Sequence, residues 1–334
     1  MYDVVTIGSA TVDLFADTDS ELVEIKSRHS SEKLIAYPLG SKMLIQDLNI
    51  TVGGGGTNTA VAFARLGLKT AFMGKIGSDA QGQQVLAALT SDGIDFVGAV
   101  GGKTGLSVIL DSIEDDRTIL AFKGANDELS LTEATLPASR WLYCSAMLGQ
   151  SLQTLAALVA TTSAKVAFNP SSYLAKQGAE ALLPILQKLE VLVLNKEESA
   201  MLLGWDIHEH HAMKALLAAL AARLGIRVVA ITDGAAGVVA TDGKLCVEAK
   251  PAAQLAIVET TGAGDAFASG FVAALIKERP LSDAVQMGML NAESVLAFKG
   301  AKNQLLDAKM LAEQLASDQR LITQSPWLSN KKPG

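Results

Sequence analysis

WLYC (141–144), SLQTLAALVATT (151–162), KVAF (165–168), VLVL (191–194) and KEESAMLLG (196–204) follow one another, with a helical stretch inside 175–189 before the last strand. The short runs rich in aromatic and β-branched residues read as buried strands, and the longer segments with apolar residues three and four apart read as helices. A strand that reaches its neighbour only through a helix must lie parallel to it, because an antiparallel pair needs no more than a hairpin. Working outward, YDVVTI (2–7), closed by Gly8, is a further buried strand, and KTAFMGKIG (69–77) and DAQGQQVLAALTSDG (79–93) repeat the strand and helix alternation. AMKALLAALAARL (212–224) is a helix ended by Gly225, IRVVAIT (226–232) and GVVAT (237–241) are strands, and GDAFASGFVAALIKE (264–278) and DAVQMGMLNAESVLAF (283–298) are two long helices. The expected fold is α/β, three α/β/α layers around a mostly parallel sheet.

Two stretches break the alternation. Between 11 and 52 charged and apolar residues mix without a helical period, and LIAYPL (34–39) and MLIQDLNITV (43–52) read as strands separated by the turn Gly40-Ser41. GLSVIL (105–110) and RTILAF (117–122) read as a hairpin across 112–116. Together they predict a small β-sheet lid, with strands within about 11–52 and 103–123. Gly53-Gly54-Gly55-Gly56 is expected to break regular structure ahead of the helix TNTAVAFARLG (57–67). With no repeat and no linker, residues 1–323 are expected to form a single domain and 324–334 a flexible tail.

Composition narrows the function. The chain has 334 residues, 49% hydrophobic and 19% charged, which excludes a disordered or collagen-like polymer. At this size folding buries roughly 75% of the open chain's surface, so no disulfide framework is needed. Cys144 and Cys246 sit in apolar stretches and read as buried thiols in a reducing compartment. The 28 Lys and Arg against 35 Asp and Glu leave a net charge of −7, and Lys331-Lys332 is the longest basic run, which argues against a nucleic-acid partner. Asp3 and Asp13 interrupt the apolar start, and no window approaches 18 uncharged apolar residues, so neither a signal peptide nor a membrane segment is expected and the location expected is cytoplasmic.

The segment richest in chemistry is Glu259-Thr260-Thr261-Gly262-Ala263-Gly264-Asp265. Threonines and a Gly-Ala-Gly turn lead straight into a helix, so backbone N–H groups and a helix N-terminus converge on a ready anion site. Asp265 beside it has two readings, a helix N-cap or the base that phosphoryl transfer to an alcohol requires.

These residues resemble the second signature of the PfkB (ribokinase-like) carbohydrate kinase family, DTTGAGD followed by a small-residue helix, continued here as AFASGF. The first signature is matched by Gly53-Gly54-Gly55-Gly56-Thr57-Asn58-Thr59-Ala60, Ala64-Arg65-Leu66-Gly67 and Gly77-x-Asp79-x-x-Gly82. Gly8 and Asp13, Gly124-Ala125-Asn126, Asn195-Lys196-Glu197-Glu198 and Thr232-x-Gly234-x-x-Gly237 extend the likeness over nearly the whole chain. The resemblance implies a ribokinase-like fold and ATP-dependent phosphorylation of a sugar hydroxyl. It makes Asp265 the catalytic base and Gly262, Ala263 and Gly264 the anion hole. It gives the sugar to Asp13, Gly53, Gly54 and Asn58, and the nucleotide to Asn195, Thr232, Gly234, Gly237, Asn291 and Ala301. Asn195 and Glu198 would act on Mg²⁺ through its waters, although Asn195 also reads as a simple helix cap. Glu259 and Thr261 would border a K⁺ site. Lid strands in this family often pair, so the resemblance also implies a homodimer through the lid.

Four departures bear on the substrate. Glu259 stands where the family usually has Asp, Gly55 where ribokinases tend to carry Lys, and Asn169-Pro170-Ser171 where Asp-Pro-Asn is commoner. The acid that many ribokinases set against the sugar is missing from Tyr143-Cys144-Ser145-Ala146. The missing acid weighs against ribose itself. The resemblance implies a pentose or hexose as the acceptor class, the small glycine string and the missing acid leave room for a nucleoside as the alternative, and a catalytically silent sugar-binding protein is the reading outside the class. Three decoys are set aside. Gly98 to Thr104 lacks the Gly at Val97 that a P-loop needs and precedes a hairpin; His208 to His211 lacks the i, i+4 spacing of a zinc site; Gly8 to Asp13 is no dinucleotide fingerprint.

Overall fold

The computed structural model describes residues 1–18, 21–26, 31–111, 117–252, 255, 257, 259–298 and 300–327. Strand β1 (Tyr2–Ile7) opens the chain, with Val5 and Ile7 in one apolar core and Val4 in another, the alternation of a strand buried on both faces. The chain then leaves for the lid as β2 (Thr11–Thr18), β3 (Glu21–Lys26), β4 (Ser31–Ala36) and β5 (Ile45–Gly53), and returns through α1 (Gly55–Arg65). β6 (Thr70–Met73), β7 (Lys75–Ile76), α2 (Ala80–Ser91), β8 (Asp95–Phe96) and β9 (Ala99–Val100) precede a second lid excursion, β10 (Gly105–Asp111) and β11 (Arg117–Phe122). Alternation resumes with β12 (Ser139–Ser145), α3 (Gly149–Thr161), β13 (Lys165–Asn169), α4 (Ser171–Ala175), α5 (Gly178–Ala181), α6 (Leu183–Leu186), β14 (Leu189–Asn195), α7 (Lys196–Leu203), α8 (Met213–Leu224) and β15 (Val228–Thr232). β16 (Val238–Thr241), β17 (Leu245–Ala249), α9 (Ala263–Ile276), α10 (Leu281–Leu296), α11 (Ala308–Ser317) and β18 (Ile322–Pro326) complete it.

Ten strands form the main sheet in the order β18-β17-β16-β15-β14-β13-β12-β1-β6-β8. From β15 to β8 every neighbouring pair is parallel, while β16, β17 and β18 add an antiparallel edge. Apolar residues of α3, α7 and α8 fill one side of the sheet and those of α9 and α10 the other, giving the expected three layers. β1 lies between β12 and β6, where the strand order reverses, and a crevice opens beyond the carboxyl ends of such strands. The lid is a separate sheet, β11-β10-β2-β5, with β3 and β4 as a two-stranded ribbon beside it in sequence.

Local readings are corrected in four places. The helix expected within 175–189 divides into α4, α5 and α6, because Gly178 takes φ +79° and Pro184 can only begin a helical turn. LIAYPL is strand only over 34–36 and pairs with β3, whereas β5 pairs with β2, whose mixed composition hid it. Of the four glycines, Gly53 ends β5 and Gly55 begins α1, leaving Gly54 as the single break. Gln324, expected to open a flexible tail, pairs with Val247 in the edge ladder; residues 328–334 and the hairpin turn 112–116 lie outside the described residues.

Candidate active site

Asp265 is the third residue of α9, and the N-cap is Gly262, whose φ of +81° and close approach to Ala301 admit no side chain. Asp265 is therefore not a cap. Its Oδ2 instead accepts a 2.9 Å hydrogen bond from Asn58 Nδ2 in the first turn of α1, 207 residues away in sequence. Burial raises its pKa to about 6, against the lowering effects of the Asn58 bond and the Lys302 charge. Of the turn residues expected to form an anion hole, Ala263 donates its N–H to Thr260 O at 3.3 Å, while Gly264 stands exposed at the helix start.

The acceptor residues gather at the lid hinge. Asp13 on β2 is buried, accepts from Thr11 Oγ1 at 2.8 Å, and has its pKa raised by burial, against the Thr11 and Ser107 hydroxyls and Lys302. A Cβ at Gly53 would overlap Asp13 Oδ2, so that glycine lets the carboxylate lie on the backbone, while Gly54 takes φ +95° and lets the chain pass against Ser9 O. Asn58 Oδ1 is buried without a partner among the described residues, an acceptor aimed at the same space.

Asn195 and Glu198 form a full capping box, Glu198 N donating to Asn195 Oδ1 at 2.8 Å and Asn195 N to Glu198 Oε2 at 2.9 Å. The structural reading of these two residues is thus realised. Burial raises the pKa of Glu198, with the Asp265 charge adding to it. The register sets Asn195 beside Thr232, and Lys196 Nζ binds Asp233 Oδ2 at 3.0 Å, so the NxxE and T-x-G-x-x-G segments form one strand-end surface. Gly234 is open there, whereas Gly237 takes φ +97° against Ala249 O.

Asn291 departs from expectation. It is fully buried, its Nδ2 donates to Ala266 O at 2.8 Å and its Oδ1 accepts from Leu306 N at 3.3 Å, so it ties α10 to α9 and to the following loop instead of facing a nucleotide. Ala301 is buried against Gly262. Glu259 Oε2 accepts from Gly300 N at 2.7 Å, and Thr261 Oγ1 is buried without a partner among the described residues.

The geometry adds three residues that the motifs did not single out. Lys302 donates to Thr57 Oγ1 at 3.1 Å. Ser145 Oγ, buried without a partner among the described residues, lies 3.3 Å from where a Cβ of Gly55 would stand, and Asp265 Oδ1 lies 3.6 Å from that point. The buried Tyr143 hydroxyl, also unpartnered, feels the Asp265 and Glu198 charges. β12 ending at the crevice was a usable signal for Tyr143 and Ser145; nothing local distinguishes Lys302. Among the described residues no helix is long and apolar enough to cross a membrane, and His208–His211 belong to no metal-binding cluster.

A partly buried carboxylate in the first turn of a helix, a buried one on β2 and the glycine turns are the kinds of group that phosphoryl transfer to an alcohol calls for. Comparison with known proteins agrees. The model of the pfkB family carbohydrate kinases matches residues 1–308. A ribokinase of Haemophilus influenzae is 33% identical over 283 residues, 80% of this chain and 88% of that one. A ribokinase of Thermotoga maritima superposes with a TM-score of 0.78 at 22% identity, covering 95% of this chain and 100% of the other. An adenosine kinase of Sinorhizobium meliloti superposes with a TM-score of 0.76 at 23% identity, covering 94% and 99%. The chain belongs to the pfkB family of carbohydrate kinases and is a phosphotransferase acting on a hydroxyl group.

Proposed function

We propose that this kinase transfers the γ-phosphoryl group of ATP to a hydroxyl of a pentose or hexose, with Asp265 as the base. The observation that carries the reading is the Asp265 carboxylate, bonded to Asn58 and raised to a pKa of about 6, beside the open Gly264 end of the anion turn. Asp13 and Asn58 Oδ1, unpartnered among the described residues, offer acceptors to sugar hydroxyls, and Gly53 lets the Asp13 carboxylate lie against the backbone there. Asp265 takes the hydroxyl proton as the new oxygen to phosphorus bond forms, and the electron pair of the breaking β,γ bond leaves with ADP. The Gly262-Ala263-Gly264 turn would receive the transferred group, with the Gly264 end exposed and the Ala263 N–H already donating to Thr260 O. Thr232, Gly234 and Gly237 support the nucleotide, together with Ala301. Asn195 and Glu198 suit Mg²⁺ held through water, because the capping box already occupies Asn195 Oδ1 and Glu198 Oε2; the ion would neutralise phosphate charge. The orphaned Thr261 Oγ1 fits a monovalent cation beside Glu259.

One observation favours a nucleoside acceptor. Tyr143-Cys144-Ser145-Ala146 carries no acid and Gly55 no side chain, which leaves room for a base. ADP release from MgATP against a panel of pentoses, hexoses and nucleosides, with and without K⁺, separates the readings. A signal with a sugar that vanishes in Asp265→Asn supports the proposal; a nucleoside-only signal replaces the acceptor. Silence from protein that still binds ATP points to an acceptor or donor outside the panel, whereas failure to bind ATP returns the fold to sugar binding without catalysis.

The lid is also proposed as the interface of a homodimer. Its register aligns Leu14, Ile50, Val108 and Leu120, and beside them Val12, Val52, Leu106 and Phe122, on one sheet face. Ile50, Leu120 and Phe122 are each about half exposed, which a second copy would cover.

A further inference from the structure

Lys302 follows Gly300-Ala301 on the loop after α10. Both ends of the residue are tied to α1: Arg65 Nη1 donates to Lys302 O at 3.0 Å, and Lys302 Nζ donates to Thr57 Oγ1 at 3.1 Å. Thr57 Oγ1 passes its own hydrogen to Gly53 O at 2.6 Å, and Gly53 is the residue on which Asp13 rests. The ammonium thus stands within the fields of Asp13 and Asp265, with Asp92 and Arg65 also acting on it.

We propose that Lys302 is a positioning residue for phosphoryl transfer, an ammonium held on Thr57 whose charge acts on both the acceptor carboxylate Asp13 and the base Asp265 while it fastens the loop after α10 to the first turn of α1. The inference rests on the reading of Asp265 as the base. Two carboxylates facing one pocket repel each other and repel the polyphosphate that must enter it, and an ammonium acting on both carboxylates offsets both effects. The charge also favours the ionised form of Asp265, the form able to take a proton. The groups acting on Asp265 are Asn58 on α1 and Lys302 on the loop, with Glu198 on α7 and Tyr143 on β12 sharing its field. Burial in turn lowers the pKa of Lys302 to about 8, so the charge is present at neutral pH and lost in mild alkali. Gly55, on the same turn of α1, has no side chain to supply a charge, and a Cβ there would stand 3.2 Å from Ser145 Cβ.

The test compares Lys302→Gln and Lys302→Arg with the wild type in full kcat and KM profiles against pH. Lys302→Gln, which keeps a donor for Thr57 without the charge, is expected to lower kcat about 10- to 100-fold at neutral pH and to move the acid limb upward by about one pH unit. Lys302→Arg is expected to recover most of kcat and to lose the decline expected of the wild type above about pH 8, because a guanidinium stays charged. Folded Lys302→Gln with an unmoved acid limb, or Lys302→Arg with the wild-type alkaline decline, overturns the proposal. Asp265→Asn in the same assay tests the base separately: if it stays active, the base reading fails. The ¹³C titration of the Asp265 carboxyl, which needs no turnover, still reports whether Lys302→Gln raises it, and an unmoved titration overturns the inference independently.

Discussion

Asp265 carries a cost that its chemistry requires. Its folded pKa of about 6 lies above the ordinary value of 3.8, so the protonated form is favoured by folding. That contribution is fully present below about pH 4, is lost as pH rises through 6, and leaves the ionised carboxylate destabilising at neutral pH. Asp265→Asn is therefore expected to raise stability by about 1–3 kcal/mol at pH 7.5, with little change at pH 4, in thermal unfolding. The same substitution should lower kcat by about 10²–10⁴. In the wild type kcat should fall as pH drops below about 6, and a profile flat from pH 5 to 8 would remove the ionised Asp265 from the mechanism.

Two side-chain clasps hold the roots of the lid strands. Asp79 caps α2 through Gly82 N and accepts from Thr104 N at 2.9 Å, just before β10. Asn126 closes both backbone groups of Ala10, its Oδ1 accepting from Ala10 N at 2.8 Å and its Nδ2 donating to Ala10 O at 2.9 Å, just before β2. Both belong to motifs quoted for their likeness to kinases, yet both act here on the backbone, so the GxDxxG and GAN strings are lid hinges by geometry. Asn126→Ala leaves a buried N–H and C=O unpaired, which costs about 2–4 kcal/mol. Urea denaturation measures that loss, and the acceptor KM should rise more than the ATP KM, since β2 carries Asp13.

At the scale of the molecule, the parallel strands end at one edge and the lid stands over it. Ser145, Asn169, Asn195 and Thr232 are the last residues of β12, β13, β14 and β15, which sets their polar groups along one crevice. The apolar face of the lid sheet, packed at its root through Val12, Leu14, Val52 and Leu106 on the core shared with α1 and α2 and exposed at Ile50, Leu120 and Phe122, is the complementary feature. A dimer is expected by analytical ultracentrifugation, and the pair Ile50→Glu and Leu120→Lys should give a monomer with the main sheet intact; a monomeric wild type at micromolar concentration would refute the lid interface. The acceptor KM should then rise, because the lid hinge carries Asp13 and Gly53.

The sequence by itself determined the parallel sheet, the glycine-led helix α1, the anion turn before α9 and the kinase signatures. Periodicity and turn chemistry are local, and strands such as VLVL and helices such as AMKALLAALAARL announce themselves within a dozen residues. Only the tertiary structure decided which groups meet. Asn58 reaches Asp265 from the other end of the chain, Lys302 belongs to no motif and yet its charge acts on Asp13 and Asp265, and Asn291 is taken up by packing. β2 was hidden because a lid strand with one polar, ligand-facing side mixes charge into its pattern. Burial, hydrogen-bond pairing and the fields of distant charges are properties of the assembled chain, and they set the roles of these residues.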